Sequence, residues 1–255
     1  MLLALSLGAT RVDVLTHPER QLSAEQEHVF DALVARREKN EPIAYLLGER
    51  EFYGRSFRVD RRALIPRPET ELLVDLGKAA VARWREAGVE PSVLDVGTGC
   101  GAVAISLAIE CGIAVTGTDV SFAALSLAQD NAHQLGCASR WVQADLLDGL
   151  RGPLHVVVAN LPYVPRARWL PSDVRDYEPS VALFGGERGT ELIERLLHAA
   201  RRVLVPGAEL AVELDEEAQA GPVADLARGL YPSAAVSVCR DAGGYDRVVR
   251  LALPA

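Results

Sequence analysis

Cysteine is scarce in this chain, and its four copies, Cys100, Cys111, Cys137 and Cys239, form no C-x-x-C pair and no ligand spacing with the scattered histidines. Neither a zinc motif nor a disulfide framework is indicated, and buried free thiols in a reducing cytosol are expected. Positive charge is also in deficit: 27 Lys and Arg stand against 35 Asp and Glu, for a net charge of −8, and no dense basic run appears. Such a balance weakens phosphate neutralisation as a mode of binding, so stable contact with nucleic acid is not expected. No stretch approaches the ~20 apolar residues of a membrane span. The apolar segment Met1 to Ala9 is short and lacks the basic residues that precede a signal-peptide core. It reads as a piece of helix, and a cytoplasmic monomer is expected. Internal repeats and low-complexity tracts are absent.

What the chain has is apolar residues, 49% of its 255 positions, enough for one α/β domain of ordinary size and a small additional module. Up to about Asn40 the pattern is helical. Ser23 and Gln26 make the Ser-x-x-Gln form of a capping box, after which Val29, Phe30, Leu33 and Val34 fall on one face. Glu51 to Val59 alternates around Gly54 and reads as a short hairpin. The junction Ile65-Pro66-Arg67-Pro68-Glu69-Thr70-Glu71 is held extended by two prolines, and Pro68 suits the first turn of the helix that carries Leu72, Leu73, Leu76, Ala80 and Trp84. A rigid linker would explain the junction equally well.

Alternation of strand and helix then begins. Val93 to Val96 runs into Gly97-Thr98-Gly99-Cys100-Gly101, a turn spaced Asp-x-Gly-x-Gly-x-Gly counted from Asp95, and then into a helix from Ala102 to Ala108. Glycines there let the backbone approach a ligand, and the helix amino terminus favours an anionic group such as a carboxylate. A second strand, Ala114 to Thr118, ends in Asp119, at the distance where an acidic residue binds ribose hydroxyls. A third ends at Ala144-Asp145-Leu146, where Asp145 could accept from an adenine amino group and Leu146 could pack on the ring. Together these describe a nucleoside site, although each aspartate alone could be a helix cap.

The chain is organised around Asn160-Leu161-Pro162-Tyr163, which follows the apolar run Val156 to Ala159. A β-branched run bounded by a turn signal reads as a buried central strand of a parallel sheet, whose carboxyl end is a ligand position. The Asn160 side-chain oxygen and the Leu161 carbonyl can each accept a hydrogen bond from a planar NH2 group, and Tyr163 can cover its flat face. This suits the acceptor site of a methyl transfer to an amide or exocyclic amine; a strand-ending turn is the plainer alternative. About twenty-five residues without clear periodicity follow, a length typical of a binding loop or lid. A helix from Thr190 to Val203, a strand from Ala208 to Leu214, a helix from Glu216 to about Leu230, and strands near Ala235–Cys239 and Arg247–Leu253 complete the pattern. The connection between the last two permits an antiparallel pair.

Asp95 to Gly101, Asp119 and Asn160 to Tyr163 resemble the motifs of class I S-adenosylmethionine-dependent methyltransferases. Leu64 to Glu71, Tyr177-Glu178-Pro179 and Phe184-Gly185-Gly186 with Gly189 resemble the HemK/PrmC group, which methylates the glutamine side-chain nitrogen (N5) in the Gly-Gly-Gln loop of bacterial class-I peptide chain release factors. The resemblance implies a Rossmann-like, mostly parallel seven-stranded sheet with helices on both faces over residues 63–255. Ahead of it, residues 1–62 would form a small helical substrate-recognition module with a β-hairpin connection. It further implies that Gly97, Thr98, Gly99, Cys100 and Gly101 hold the methionine end of S-adenosylmethionine, Asp119 the ribose, and Leu146 the edge of the adenine. Asn160 would lie beside the transferring methyl, with Asn160, Leu161, Pro162 and Tyr163 holding the glutamine amide. Arg67, its direction fixed by the flanking prolines, is expected to support the substrate loop or the acceptor site. Two departures stand out: Leu161 replaces a proline of the group's Asn-Pro-Pro-Tyr, and members of the group begin with additional helical sequence, so a shortened amino-terminal module is expected. An adenine-N6 methyltransferase acting on RNA or DNA is the alternative, since an adenine amine fits the same acceptors. A non-catalytic cofactor-binding partner of the translation machinery is a third reading, against which Asn160, Pro162 and Tyr163 argue.

Overall fold

The computed structural model describes residues 1–215 and 217–255. Its amino-terminal part is a cluster of short helices, α1 (Leu2–Leu7), α2 (Arg11–Thr16), α3 (Ala24–Glu38) and α4 (Ile43–Leu47). The capping box forms as the sequence indicates: the Gln26 N–H donates to the Ser23 hydroxyl at 3.2 Å, and the Ser23 N–H donates to Gln26 Oε1 at 3.0 Å. The apolar face of α3 is covered only in part. Leu33 is buried against a layer made by α1 and α4, whereas Val29 is 42% exposed, because two short helices cannot cover the full stripe.

A hairpin follows, β1 (Glu49–Phe52) and β2 (Arg55–Arg58), antiparallel with Phe52 opposite Arg55. Its two-residue turn places Tyr53 at φ 50° and Gly54 at φ 69°, the pair of positive values that a type I′ turn requires. Phe52 and Phe57 are 1% and 0% exposed and pack with Leu73, Val74 and Leu107 of the large domain. By packing, therefore, the hairpin goes with the sheet domain, although by chain order it falls within the expected 1–62 module. Asn131 fastens it there: its Nδ2 donates to the carbonyls of Arg58 (3.1 Å) and Cys100 (2.8 Å), and its Oδ1 accepts from the Arg58 N–H at 2.8 Å.

A 3₁₀ turn at Pro68–Thr70 leads into α5 (Glu71–Glu86), and the alternating part runs β3 (Val93–Val96), α6 (Ala102–Cys111), β4 (Val115–Asp119), α7 (Phe122–Gln134), β5 (Arg140–Gln143) and β6 (Leu154–Ala159). The long connection after Tyr163 is more ordered than its sequence suggests. It holds β7 (Val164–Pro165), α8 (Ser172–Arg175) and β8 (Phe184–Gly186), with β7 and β8 paired in parallel. The chain ends with α9 (Glu191–Ala200), β9 (Leu204–Glu213), α10 (Glu217–Leu230), β10 (Ala235–Arg240) and β11 (Asp246–Ala252). The expected start of α10 at Glu216 lies outside the described residues.

The main sheet has seven strands in the order β10-β11-β9-β6-β3-β4-β5. Strands β9, β6, β3, β4 and β5 run parallel, while β11 pairs antiparallel with both β9 and β10. Strand β6 is central, and its side chains alternate between the two apolar layers. Val156 and Val158 join α5, α6 and α7 on one face; Val157 and Ala159 join α9 and α10 on the other. All four are at most 1% exposed. Because the chain moves from β3 outward to β4 on one side and returns to β6 on the other, the carboxyl ends of β3 and β6 flank the point where the strand order reverses, the usual crevice for a ligand. Among the described residues no helix is long and apolar enough to cross a membrane.

Candidate active site

A cavity of about 300 Å³ opens at that crevice, within the size range of small-molecule sites. Of the expected site residues, Gly97, Thr98, Gly99, Cys100, Asp119, Asp145, Leu146, Asn160, Leu161, Pro162 and Arg67 line it, and Gly101 and Tyr163 stand behind the wall. Gly97, Gly99 and Gly101 have φ of 74°, 56° and 85°, values that a side chain rarely tolerates. Their surroundings differ. A Cβ on Gly101 would come within 2.9 Å of Ile105 and 3.0 Å of Ala128, so this glycine serves the packing of α6 on α7. A Cβ on Gly99 would meet only Ala63, at 3.9 Å, and would otherwise stand in the cavity.

Asp95 holds the turn from below. Its Oδ2 accepts from the Thr98 hydroxyl at 2.7 Å and from the Ala104 N–H at 3.1 Å, and burial pushes its carboxyl up to about 7. Thr98 therefore spends its side chain on Asp95, and its backbone is engaged too, the N–H on the Thr118 carbonyl at 2.8 Å and the carbonyl by the Gly101 N–H at 2.9 Å. Cys100 is likewise buried, with its thiol pushed up to about 12 by desolvation, so it contributes no thiolate. The other three cysteines are free and partly buried, not fully buried as the sequence suggested.

Asp119 closes β4 with each carboxylate oxygen on one backbone donor, Oδ2 on the Gly99 N–H at 2.9 Å and Oδ1 on the Ser121 N–H at 2.8 Å. Burial raises its pKa above the ordinary value, against the opposing pull of these N–H groups. Each oxygen keeps a lone pair for a further donor. Asp145 is half exposed and pairs with Arg195 at 2.8 Å, so its carboxylate is shared with α9. Leu146, at φ 54°, is buried beside it.

At the end of β6, Asn160 Nδ2 donates to the hydroxyl of Thr70 at 3.0 Å, which leaves the amide oxygen for another partner. Tyr163 packs against the α9 and α10 layer, its hydroxyl donates to Glu213 Oε1 at 3.3 Å, and its carbonyl accepts from Gln219 Nε2 at 2.9 Å. In this arrangement Tyr163 anchors the stretch. Arg67 does not reach into the cavity with an unshared charge: its guanidinium bonds Glu178 at 2.5 Å. Thr70, Glu178 and Glu213 thus enter the site without having been assigned a part by the sequence. Thr70 lies in the proline-bounded junction and Glu178 in the long connection after Tyr163, but Glu213 carried no local signal.

These features fit S-adenosylmethionine. The Gly99 cradle that a Cβ would fill, a buried carboxylate with spare lone pairs and the apolar wall at Leu146 are what a methionyl tail, a ribose and an adenine respectively need. The fold and the site together define a class I S-adenosylmethionine-dependent methyltransferase. A family profile described as a methyltransferase domain matches residues 93–172, and one described as the PrmC N-terminal domain matches residues 1–48. The release factor glutamine methyltransferase of Koribacter versatilis is 39% identical over 254 residues, covering 98% of this chain and 88% of that protein. The chain belongs to the release factor glutamine methyltransferase family. Among solved structures, the Mtq2–Trm112 complex of E. cuniculi, responsible for methylation of the eRF1 translation termination factor, is 26% identical with a TM-score of 0.50, covering 76% of this chain and 99% of that one. The T. thermophilus 16S rRNA N2 G1207 methyltransferase, solved with AdoMet and guanosine, shares the fold alone, at 18% identity and a TM-score of 0.54 over 81% of this chain and 50% of that one.

Proposed function

We propose that this chain methylates the side-chain nitrogen (N5) of the glutamine in the Gly-Gly-Gln motif of bacterial class-I peptide chain release factors. The carrying observation is Asn160 at the carboxyl end of β6, turned by Thr70 so that its amide oxygen is available to a substrate NH2 group. Likeness at 39% identity to a release factor glutamine methyltransferase supports glutamine over adenine as the acceptor.

In this reading S-adenosylmethionine, when bound, supplies a methyl group on a sulfonium centre. The turn from Gly97 to Cys100 would take its methionyl end, Asp119 the ribose hydroxyls, and Leu146 the adenine face, with Asp145 at its edge. Asn160 Oδ1 and the Leu161 carbonyl would accept the two hydrogens of the glutamine amide and orient its nitrogen for attack on the methyl; transfer would leave the cofactor as its thioether and release one amide proton. Pro162 disfavours the α region at Leu161 and so keeps that carbonyl fixed. Alignment of reactants is worth ~7–11 kcal/mol of barrier, so positioning carries most of the chemistry asked of this chain.

A protein loop entering this crevice needs a shaped outer surface. The amino-terminal helices and the long connection form one: Tyr177 donates to the Lys39 carbonyl at 2.8 Å, and the Arg61 guanidinium lies 4.5 Å from its ring centre. These two parts read the release factor, and the residues assigned to the cofactor, Gly97 to Leu146, follow Val93. The test incubates the protein with methyl-labelled cofactor and either release factor or ribosomal RNA. Label on the release factor supports the proposal; label on RNA alone moves the acceptor to adenine.

A further inference from the structure

Behind the acceptor stretch, at the end of β9, Glu213 is 1% exposed. Its Oε1 accepts from the Tyr163 hydroxyl, and its Oε2 is buried without a formed hydrogen bond among the described residues. The Thr70 hydroxyl faces the same carboxyl, with Arg247 and Glu69 contributing to the local field. The same Thr70 oxygen accepts from Asn160 Nδ2.

Hydrogen counting makes these contacts a directed chain. A hydroxyl has one hydrogen and lone pairs for acceptance. An ionised carboxylate only accepts, and a buried carboxylate oxygen left without a donor is costly, so with Glu213 ionised the Thr70 hydrogen belongs to it. Only lone pairs then remain toward Asn160, which must present its NH2 to Thr70 and, in consequence, its oxygen to the cavity. With a donor in place of the carboxylate, an amide or the protonated acid, the chain would reverse, and the Asn160 amide would turn its NH2 toward a substrate that also carries NH2.

We propose that Glu213 is a positioning residue for methyl transfer: through Thr70 it fixes which end of the Asn160 amide meets the substrate, and through the Tyr163 hydroxyl it anchors the other end of the same stretch. A carboxyl behind the cavity wall thereby selects an NH2-bearing acceptor. This rests on the reading of Asn160 to Tyr163 as the acceptor site.

Glu213→Gln keeps volume and fold and supplies the donor that reverses the chain. In assays above about pH 8, where Glu213 is ionised, kcat for release factor methylation should fall by about tenfold or more, as for one misdirected buried hydrogen bond, with cofactor affinity and melting temperature little changed. Thr70→Val should fall similarly, Thr70→Ser should recover most of that loss, and the Glu213→Gln/Thr70→Val double variant should be no worse than the poorer single one. Independent losses that multiply, or a Glu213→Gln enzyme within about twofold of the parent, would overturn the relay. A second readout needs no substrate: the Asn160 side-chain NH2 protons, followed by NMR, should be protected from exchange in the parent and lose protection in Glu213→Gln. Equal protection in both overturns the relay. A parent enzyme inactive on release factor would count against the assigned substrate, and the NH2 protection would still decide the relay.

Discussion

Arg67 and Glu178 are bonded at 2.5 Å across 111 residues of sequence, and the second carboxylate oxygen of Glu178 accepts from the Ile65 N–H at 3.1 Å. The junction before α5 is thereby tied to the long connection between β6 and α9. The Glu178 side chain is 1% exposed and that of Arg67 32%.

Arg67→Ala leaves the Glu178 carboxylate buried with one backbone donor. Breaking a buried pair from one side costs ~3–5 kcal/mol, and the partial exposure of Arg67 places this case at about 3 kcal/mol. Denaturant unfolding should show that loss, and the KM for release factor should rise. Unchanged stability together with an unchanged KM would reduce the pair to a surface contact.

Asp119→Asn should weaken S-adenosylmethionine binding at least about tenfold, because a charged hydrogen bond is worth ~1.5–3 kcal/mol. One amide oxygen cannot serve Gly99, Ser121 and a ribose as the carboxylate does. Calorimetry decides: an unchanged dissociation constant would make Asp119 a cap for the two turns and nothing more.

Burial raises the Asp95 carboxyl to about 7 and the Glu213 carboxyl likewise to about 7, against unfolded values of about 4. Groups raised on folding contribute stability that is complete below the unfolded pKa and is lost as pH rises through the folded one. The protein should therefore lose stability between about pH 4 and pH 7 from these two groups. Asp95→Asn should flatten that part of the profile in thermal unfolding, even if it is less stable throughout through weaker acceptance from Thr98 and Ala104. A parallel decline in variant and parent would show that Asp95 does not titrate there.

The departure at Leu161 is explained by its neighbours. Leu161 is 4% exposed, joins the α9 and α10 layer, and sits where a Cβ on Gly97 would come within 2.9 Å of its Cδ2. Leu161→Pro should change the methylation rate only modestly, since the carbonyl remains, and should cost ~1–3 kcal/mol of lost burial. Gly97→Ala should be worse for binding, combining a strained φ with a clash against Leu161. A rate that collapses with Leu161→Pro while Gly97→Ala binds cofactor normally would contradict this account of the turn.

Local signals were legible in the sequence because each lies within a few residues. Val156 to Ala159 marked β6, Ser23 and Gln26 marked the start of α3, and Gly54 marked the hairpin. The glycine turn and Asp119 came together at the sheet's switch point because strand ends place them there. Contacts between distant segments were not legible. Nothing near Glu213 tells that its partners are Tyr163 and Thr70, and Asn131 gives no local hint that it binds Arg58 and Cys100. The irregular stretch after Tyr163 had no period to read, since β7 and β8 are two and three residues long and form a two-stranded sheet of their own. Phe52 and Phe57 gave the hairpin its alternation without showing that they serve the larger core.

The central claim is that Asn160 holds the glutamine amide in line for transfer, and single-turnover methylation of release factor at saturating cofactor tests it most directly. Label should appear on the Gly-Gly-Gln glutamine alone. Asn160→Ala should slow the step far more than the ~1–3 kcal/mol of one unpaired group, because alignment is lost as well, while cofactor binding is retained and Tyr163→Ala falls between it and Leu161→Pro. A nearly normal rate for Asn160→Ala, with label still on that glutamine, would contradict the account and put the acceptor site elsewhere.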